Sequence, residues 1–130
     1  MSIVTIMMGS EKDMDFANKM ILEFSKLDIE TVVFVGSAHK NTLQVLENIR
    51  GMDHTKKNII ITIAGMSNAL SGVVSANSPY PVIACPPFRD QLDMLVNINS
   101  TLQMPSNIPV LTILNPINCV LAVKRILDLN

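Results

Sequence analysis

Short, almost continuously apolar runs recur along the chain, and more polar segments separate them. Each run has five to seven residues, and four of the five end at a glycine or a proline. Runs of this kind are typical of strands whose two faces are both buried. They predict five strands, at residues 3–8, 30–35, 58–64, 81–85 and 108–113.

The segments between these runs carry apolar residues at helical spacing. Phe16, Met20, Phe24 and Leu27 follow one another at intervals of four, four and three residues, which is one helix face. Further helices are expected at residues 43–49, 68–76 and 117–127. The alternation of strand and helix predicts a parallel sheet between two helix layers, in a single α/β domain that spans residues 1–130.

Composition adds expectations about partners. Hydrophobic residues make up 48% of the chain and charged residues only 16%, with a mean hydropathy of +0.37. Leftover apolar surface usually marks an interface, so we expect a homo-oligomer. The net charge is -1 and the basic residues do not cluster, so nucleic acid is not expected as a partner. No apolar run approaches the roughly 20 residues that span a bilayer, so no membrane is expected either.

The first residues and the cysteines favour a cytoplasmic protein. The start of the chain has neither a positive leader nor a small-residue cleavage site, so a secretory signal is not expected. Cys85 and Cys119 lie inside apolar segments without the spacing of metal ligands. We therefore expect reduced core thiols and no metal site.

Small and polar residues follow the first three predicted strands. They are Gly9-Ser10, "GSAHK" at 36–40 and "GMSNAL" at 65–70. Because ligands bind at the carboxyl ends of parallel strands, these loops should meet at one edge and form a site. Ser10 resembles the first residue of a capping box with Asp13, at a helix start that favours a phosphate or a carboxylate.

His39 is one of two histidines and the one expected at that edge. An imidazole takes and returns a proton near neutral pH, although a loop histidine is often only a polar surface residue. Lys12 and Lys40 would add positive charge to the site, and the alternative for Lys40 is a solvated lysine. His54, before the third strand, is predicted to be a solvated turn residue at the opposite edge.

Five segments together resemble one known family. "MGSEKD", "GSAHK", "IAGMSNALSG", "SPYPVIACPP" and "LQMPS" occur in the order and at about the spacing of the PurE family of purine biosynthesis, over residues 3–127. The resemblance implies a flavodoxin-like three-layer α/β/α sandwich with a central parallel sheet of about five strands. It also implies octamers or tetramers with active sites near subunit interfaces. Members generally carry an extra C-terminal helix, and this chain is expected to lack it.

The sequence is more similar to one branch of that family. The mutase branch usually has "SAHR" and a second histidine in "GGAAHLPG". The direct carboxylase branch, called class II, has "SAHK", "GRSNALSG" and "CPP". Here Lys40 replaces the arginine and Ala69 stands at the second histidine. The resemblance implies a 5-aminoimidazole ribonucleotide carboxylase that adds CO2 to C4 of the imidazole without ATP, metal or other cofactor. The alternatives are an N5-carboxyaminoimidazole ribonucleotide mutase and a diverged, non-catalytic paralogue that binds a nucleotide.

The resemblance also implies a set of site residues. His39 would be the general base and acid at C4, and backbone N–H groups of the "GMSNAL" turn would hold the carboxylate. Asn68 would either assist there or only shape the turn. The implied substrate-binding residues are Gly9, Ser10, Lys12, Asp13, Ser37, Ala38, Lys40, Gly65, Ser67, Asn68, Ala69 and Leu70.

The chain departs from the family pattern at a few positions. Lys12 replaces the second serine of "GSxSD", Met66 replaces the arginine of "GRSN", Asn97 replaces an aspartate and Asn107 replaces a glycine. These departures are the reason to keep the non-catalytic paralogue as an alternative.

Two other classes with the same topology are disfavoured. A response-regulator receiver needs an acidic pair after the first strand, where this chain has Met8-Gly9. A flavodoxin needs aromatic residues to stack on the flavin, and this chain has no tryptophan and one tyrosine.

Overall fold

The computed structural model describes residues 1–129, which contain one five-stranded parallel sheet with helices on both faces. The strand order is β2-β1-β3-β4-β5, so β1 lies inside the sheet between β2 and β3. The predicted α/β architecture is confirmed. The strands are β1 (Ser2–Met8), β2 (Thr31–Val35), β3 (Lys57–Ile63), β4 (Val82–Ala84) and β5 (Leu111–Thr112).

Six α-helices connect or follow these strands within the described residues. A short 3-10 turn, Glu11–Asp13, precedes the first helix. The helices are α1 (Met14–Lys26), α2 (Thr42–Arg50), α3 (Leu70–Ala76), α4 (Gln91–Asn97), α5 (Asn99–Leu102) and α6 (Pro116–Leu127).

The sheet is buried on both faces, as its continuous apolar strands require. On one face Ile6 and Ile61 pack with Phe24 of α1 and Val120 of α6. On the other face the neighbouring strand residue Met7 packs with residues of α2 and α3. Consecutive residues of β1 therefore serve opposite cores, and an alternating polar strand could not take this place.

Strand register sets the position of the loops that follow. Met8 at the end of β1 pairs with Val35 on β2 and with Ile63 on β3. The three strands therefore end at the same level, and the chain leaves all three at one edge of the sheet. Strand order reverses beside β1, which is where open parallel sheets form a crevice.

The predicted β5 is too long, and two helices were not predicted. Residues 108–110 lie outside the strand because Ile108 N–H closes a turn onto the Pro105 carbonyl, and Pro109 has no N–H for a ladder. The helices α4 and α5 follow β4 in a segment that carried no prediction. Leu95 and Val96 of α4 are exposed, so the apolar pattern there does not mark a core-facing helix.

Side chains cap the first turn of α4 by accepting backbone N–H groups. Asp90 accepts the Asp93 N–H at 2.8 Å, and Asp93 accepts the Arg89 N–H at 2.9 Å. The Asn97 amide also donates to Asp93, at 2.7 Å. The Asp93 carboxylate is nearly buried, and these donors hold its pKa below the ordinary value of 3.8, with the Arg89 N–H the largest cause.

Phe24→Ala should lower the free energy of unfolding by about 3–5 kcal/mol, because the fully buried ring leaves a cavity between α1 and the sheet. Urea unfolding followed by circular dichroism measures this change. Lys19→Ala, on the exposed face of the same helix, is the matched control and should change stability by less than about 0.5 kcal/mol. Equal effects of the two substitutions would contradict this account of the core.

Asp93→Asn should destabilise the protein at neutral pH, and its effect should shrink in acid. A carboxyl whose pKa is lowered in the folded state stabilises above its ordinary pKa of 3.8 and loses that contribution as the pH falls through the folded value. Urea midpoints of wild type and variant, measured at intervals from pH 7 down to about pH 3, give the difference. A difference that does not narrow below the ordinary pKa would show that the Asp93 charge does not stabilise the helix start.

Candidate active site

A cavity of about 440 Å³ opens where β1, β2 and β3 end. Its walls come from the loops after these three strands, as the sequence predicted for a site at this edge. Eleven of the thirteen predicted site residues line it. They are Gly9, Ser10, Lys12, Asp13, Ser37, Ala38, His39, Gly65, Ser67, Ala69 and Leu70. Ala64 and Met66, which were not predicted, also line the cavity.

The first loop turns directly into the 3-10 turn. The Ser10 hydroxyl accepts the Lys12 N–H at 3.2 Å, while the Asp13 N–H donates to the Ser10 carbonyl at 3.1 Å. The predicted capping box of Ser10 with Asp13 is therefore wrong in detail, because the turn is tighter than an α-helix and brings a different N–H to the hydroxyl. The Asp13 carboxylate is left at the cavity wall, where partial burial raises its pKa above the ordinary value of 3.8.

The second loop is a compact turn that presents His39. Ser37 accepts the Lys40 N–H with its hydroxyl at 3.1 Å and the Asn41 N–H with its carbonyl at 2.8 Å. The Thr42 hydroxyl donates to the Ala38 carbonyl at 2.6 Å. Lys40 is exposed and does not line the cavity, because these bonds fix the turn so that its neighbour His39 faces the cavity instead.

His39 joins the second loop to the third. Its Nε2 lies 2.9 Å from the carbonyl oxygen of Ser67. The two residues are 28 positions apart in the chain, so the contact depends on the pairing of β2 and β3 with β1. The imidazole therefore has a defined position at the cavity wall rather than that of a freely mobile surface residue.

The third loop approaches other backbone closely. A Cβ atom on Gly65 would lie 3.2 Å from the Pro87 carbonyl oxygen, tighter than ordinary contact, so glycine suits this position. Met66, the next residue, has φ 53 and is 72% exposed. Non-glycine residues adopt such left-handed backbone only when their surroundings hold them there.

Asn68 shapes this loop from beneath and does not line the cavity. Its amide nitrogen donates to the Ser71 hydroxyl at 2.8 Å and to the Thr101 hydroxyl at 2.9 Å, and its amide oxygen accepts the Ser71 N–H at 3.2 Å. The side chain is nearly buried by these contacts. Of the two roles open to Asn68 in the sequence, the geometry fits shaping of the turn.

Two N–H groups of the "GMSNAL" turn are already bonded within the protein. The Asn68 N–H donates to the Ser100 hydroxyl at 2.9 Å, and the Ala69 N–H donates to the Ser67 carbonyl at 3.1 Å. These two groups are engaged within the protein, so the expected carboxylate contact would have to use other N–H groups of the turn. Ser100, which sequence reasoning missed, lies on α5, and the sequence carried no signal for its contact with a loop 32 residues away.

The cavity wall combines one cation, one carboxylate and one imidazole, from Lys12, Asp13 and His39. The remaining lining is small or apolar, and Met66 adds an exposed thioether without charge. A wall of this kind suits a small polar ligand that carries an anionic group. Among residues 1–129, no three His, Cys, Asp or Glu side chains gather closely enough to hold a metal ion.

The other histidine and the cysteines lie away from the cavity. His54 is exposed in a turn before β3, as predicted, and it stacks on Tyr80 and contacts the Tyr80 hydroxyl. Cys85 and Cys119 are buried free thiols, and a hydrogen bond with Cys85 together with burial raises the pKa of Cys119. In the described part of the chain, no helix is long and apolar enough to cross a membrane.

Known proteins match the chain along nearly its whole length. A family model described as AIR carboxylase covers residues 3–130. A phosphoribosylaminoimidazole carboxylase from Archaeoglobus fulgidus is 39% identical over 125 residues, which are 95% of this chain and 68% of that protein. An N5-carboxyaminoimidazole ribonucleotide mutase from Methanocaldococcus jannaschii is 38% identical over 111 residues, 85% of this chain and 68% of that protein.

A solved structure agrees with these sequence matches. The crystal structure of PurE from Treponema denticola superposes with a TM-score of 0.90 at 38% identity, covering 99% of this chain and 82% of that one. The superposition extends over all five strands and their helices, so the likeness includes the edge that carries the cavity. On the family match, the sequence identity and the shared fold, the chain belongs to the AIR carboxylase family, also called PurE, of purine biosynthesis.

Proposed function

We propose that the chain is a 5-aminoimidazole ribonucleotide carboxylase, a carboxy-lyase that adds CO2 to C4 of the imidazole to give 4-carboxy-5-aminoimidazole ribonucleotide. One observation carries the proposal: His39 stands at the wall of the cavity between β1, β2 and β3, fixed to the third loop at 2.9 Å. The name of the Archaeoglobus fulgidus relative supports the same reaction.

The reaction needs a group that accepts a proton. The amino group makes the imidazole nucleophilic at C4, so C4 attacks CO2 and a carbon–carbon bond forms. C4 is then tetrahedral and still bears its hydrogen, which must leave as a proton to restore the aromatic ring. His39 takes that proton as general base, and in the reverse direction it returns the proton to C4 so that CO2 leaves. Because CO2 is itself the electrophile, the proposed step uses neither ATP nor a metal ion.

The first loop supplies the proposed binding groups for ribose and phosphate. Lys12 contributes the positive charge and Ser10 a hydroxyl, while the Asp13 carboxylate accepts hydrogen bonds from ribose hydroxyls. Holding the nucleotide in this way presents C4 to His39 and leaves little freedom for unproductive poses. We leave Lys40 and Asn68 out of the contact set, because neither lines the cavity.

We also propose that the protein works as a cytoplasmic homo-oligomer, a tetramer or an octamer. Exposed apolar side chains support this, since α4 and α5 together leave several of them without cover in one copy. They are Leu92, Leu95, Val96 and Leu102. No nucleic acid or membrane partner is proposed, because the net charge is -1 and the ligand is a small nucleotide with CO2.

The mutase activity is the second candidate. The Methanocaldococcus jannaschii relative, which carries that name, is 38% identical to this chain. Ala69, however, stands where the mutase branch usually has its second histidine, and this supports the carboxylase.

His39→Asn should lower carboxylation by a factor of roughly 100 or more, because no other imidazole lines the cavity to remove the C4 proton. The assay supplies 5-aminoimidazole ribonucleotide in CO2-rich buffer without ATP, and in parallel the N5-carboxy compound. His54→Asn, at the opposite edge of the sheet, is the matched control and should keep wild-type turnover.

The same assay separates the alternatives. Turnover only from the N5-carboxy compound would make the protein a mutase. No turnover from either nucleotide by the folded wild type would favour the non-catalytic paralogue. Full activity of His39→Asn in an active carboxylase would reject His39 as the base.

Lys12→Ala should raise KM for the ribonucleotide by roughly tenfold while kcat stays within a factor of about 3, because a charge-assisted bond to phosphate is lost far from C4. Steady-state kinetics at two ionic strengths measure KM, and the difference in KM between variant and wild type should narrow at high salt. Lys40→Ala is the matched control, and its KM should be that of the wild type, since Lys40 does not line the cavity. A larger effect at Lys40 than at Lys12 would contradict the assigned phosphate site.

A further inference from the structure

The contact between His39 and Ser67 distinguishes the two ring nitrogens. Nε2 lies 2.9 Å from the Ser67 carbonyl oxygen, which accepts hydrogen bonds and cannot donate one. Nε2 must therefore carry the proton of this bond. In the neutral ring the lone pair is then at Nδ1, and Nδ1 is the nitrogen left to take a proton from a ligand.

Ser100, from another part of the chain, contacts the peptide groups on either side of Ser67. Ser100 of α5 accepts the Asn68 N–H at 2.9 Å, and its hydroxyl lies 3.0 Å from the Met66 carbonyl oxygen. It therefore bridges the residues on both sides of Ser67. The Asn97 carbonyl, at 2.8 Å, is a second acceptor for the same hydroxyl proton.

This bridge acts where the backbone is least favourable. Met66 has φ 53, a left-handed conformation in which the Cβ of a residue with a side chain crowds the following carbonyl oxygen. The bond from the Asn68 N–H to Ser100 opposes relaxation of that conformation, and the Met66 carbonyl shares the Ser100 hydroxyl proton with the Asn97 carbonyl. The Asn68 N–H belongs to the same peptide group as the Ser67 carbonyl, so loss of the hydroxyl would leave only the Ala69 N–H bond to direct that carbonyl toward His39.

The helix that carries Ser100 is itself anchored in the interior. Thr101, the next residue, is nearly buried and accepts the Asn68 amide, and Asn68 also bonds Ser71. The Ser71 hydroxyl lies 2.7 Å from the Thr62 hydroxyl on β3. A continuous set of hydrogen bonds thus runs from the sheet through α3 and α5 to the loop that contacts His39.

We propose that Ser100 is a positioning residue for His39: it fixes the Ser67 carbonyl, which holds the imidazole in the tautomer protonated at Nε2, so that Nδ1 exchanges the C4 proton. The inference rests on the proposed function for the step at C4. The arrangement of the ring and of Ser100 is open to test without turnover. A wrong tautomer would present a protonated nitrogen to C4 and leave no base there.

The first test is the tautomer of His39 in the intact protein. Protein labelled with 15N at histidine gives long-range 1H–15N spectra in which protonated and unprotonated ring nitrogens differ, and His39→Asn assigns the signals of the two histidines. At a pH at which the ring is neutral, we expect Nε2 protonated and Nδ1 unprotonated. In Ser100→Ala we expect a mixture of both tautomers at His39 and an unchanged His54.

The second test is kinetic. Ser100→Ala should lower kcat for carboxylation by roughly 3- to 10-fold, the effect of one lost hydrogen bond, with KM for the ribonucleotide unchanged. Ser100→Thr keeps the hydroxyl and should recover most of the loss. Asn99→Ala, at an exposed neighbouring position on the same short helix, is the matched control and should match wild type in both spectra and kinetics.

The outcomes separate the two proposals. The role of Ser100 is overturned by a wild-type ring protonated at Nδ1, or by a Ser100→Ala variant with wild-type tautomer or wild-type kcat. Carboxylation by the wild type leaves the proposed function intact in either case. Wild-type protein that turns over neither nucleotide overturns the proposed function, and the spectra still decide whether Ser100 sets the tautomer. The wild-type spectrum needs no variant, so a Ser100→Ala protein that fails to fold does not remove the test.

Discussion

The burial of the parallel sheet on both faces is the constraint on which the site depends. Apolar strands such as β1 and β3 leave water only when helices cover them above and below, and each strand must then connect to the next through a helix. All crossovers therefore start from the same edge. The level register of Met8 with Val35 and Ile63 brings three loops into one crevice. A slip of one residue in β1 would exchange its two core faces, so the same hydrophobic packing that stabilises the sheet also fixes the loops.

Within that crevice the loops are held by polar bonds rather than by packing. Ser37 closes the turn that carries His39, and Asn68 and Ser100 hold the turn that contacts it. Buried hydrogen-bond networks make a structure most rigid when every polar group in them is bonded. Here the Asn68 amide uses both its nitrogen and its oxygen. The consequence is a histidine whose orientation is set by two loops and a short helix, which is what proton transfer to a positioned carbon requires.

Sequence reasoning succeeded where the signal is local and failed where partners are distant. Strand and helix periodicity depend on neighbours within a few residues, so the five strands and the apolar face of α1 were predictable. The predicted start of β5 was wrong because hydropathy alone does not register that Pro109 cannot join a ladder. The capping box failed because a 3-10 turn and an α-helix begin with the same residues. Lys40 and Asn68 were assigned to the site by their motifs and the family resemblance, and a linear pattern does not say which side chain of a turn faces the cavity.

The sequence by itself determined the α/β layers, the edge at which a site forms and the likeness to the PurE family, because each of these depends on local periodicity or on ordered motifs. Only the tertiary structure decided that Lys12 rather than Lys40 lines the cavity, that Asn68 is buried under the third loop, and that Ser100 contacts that loop. The physical reason is that hydrogen-bond direction acts over about 3 Å. Residues 28 and 32 positions apart reach that distance only after the strands have paired.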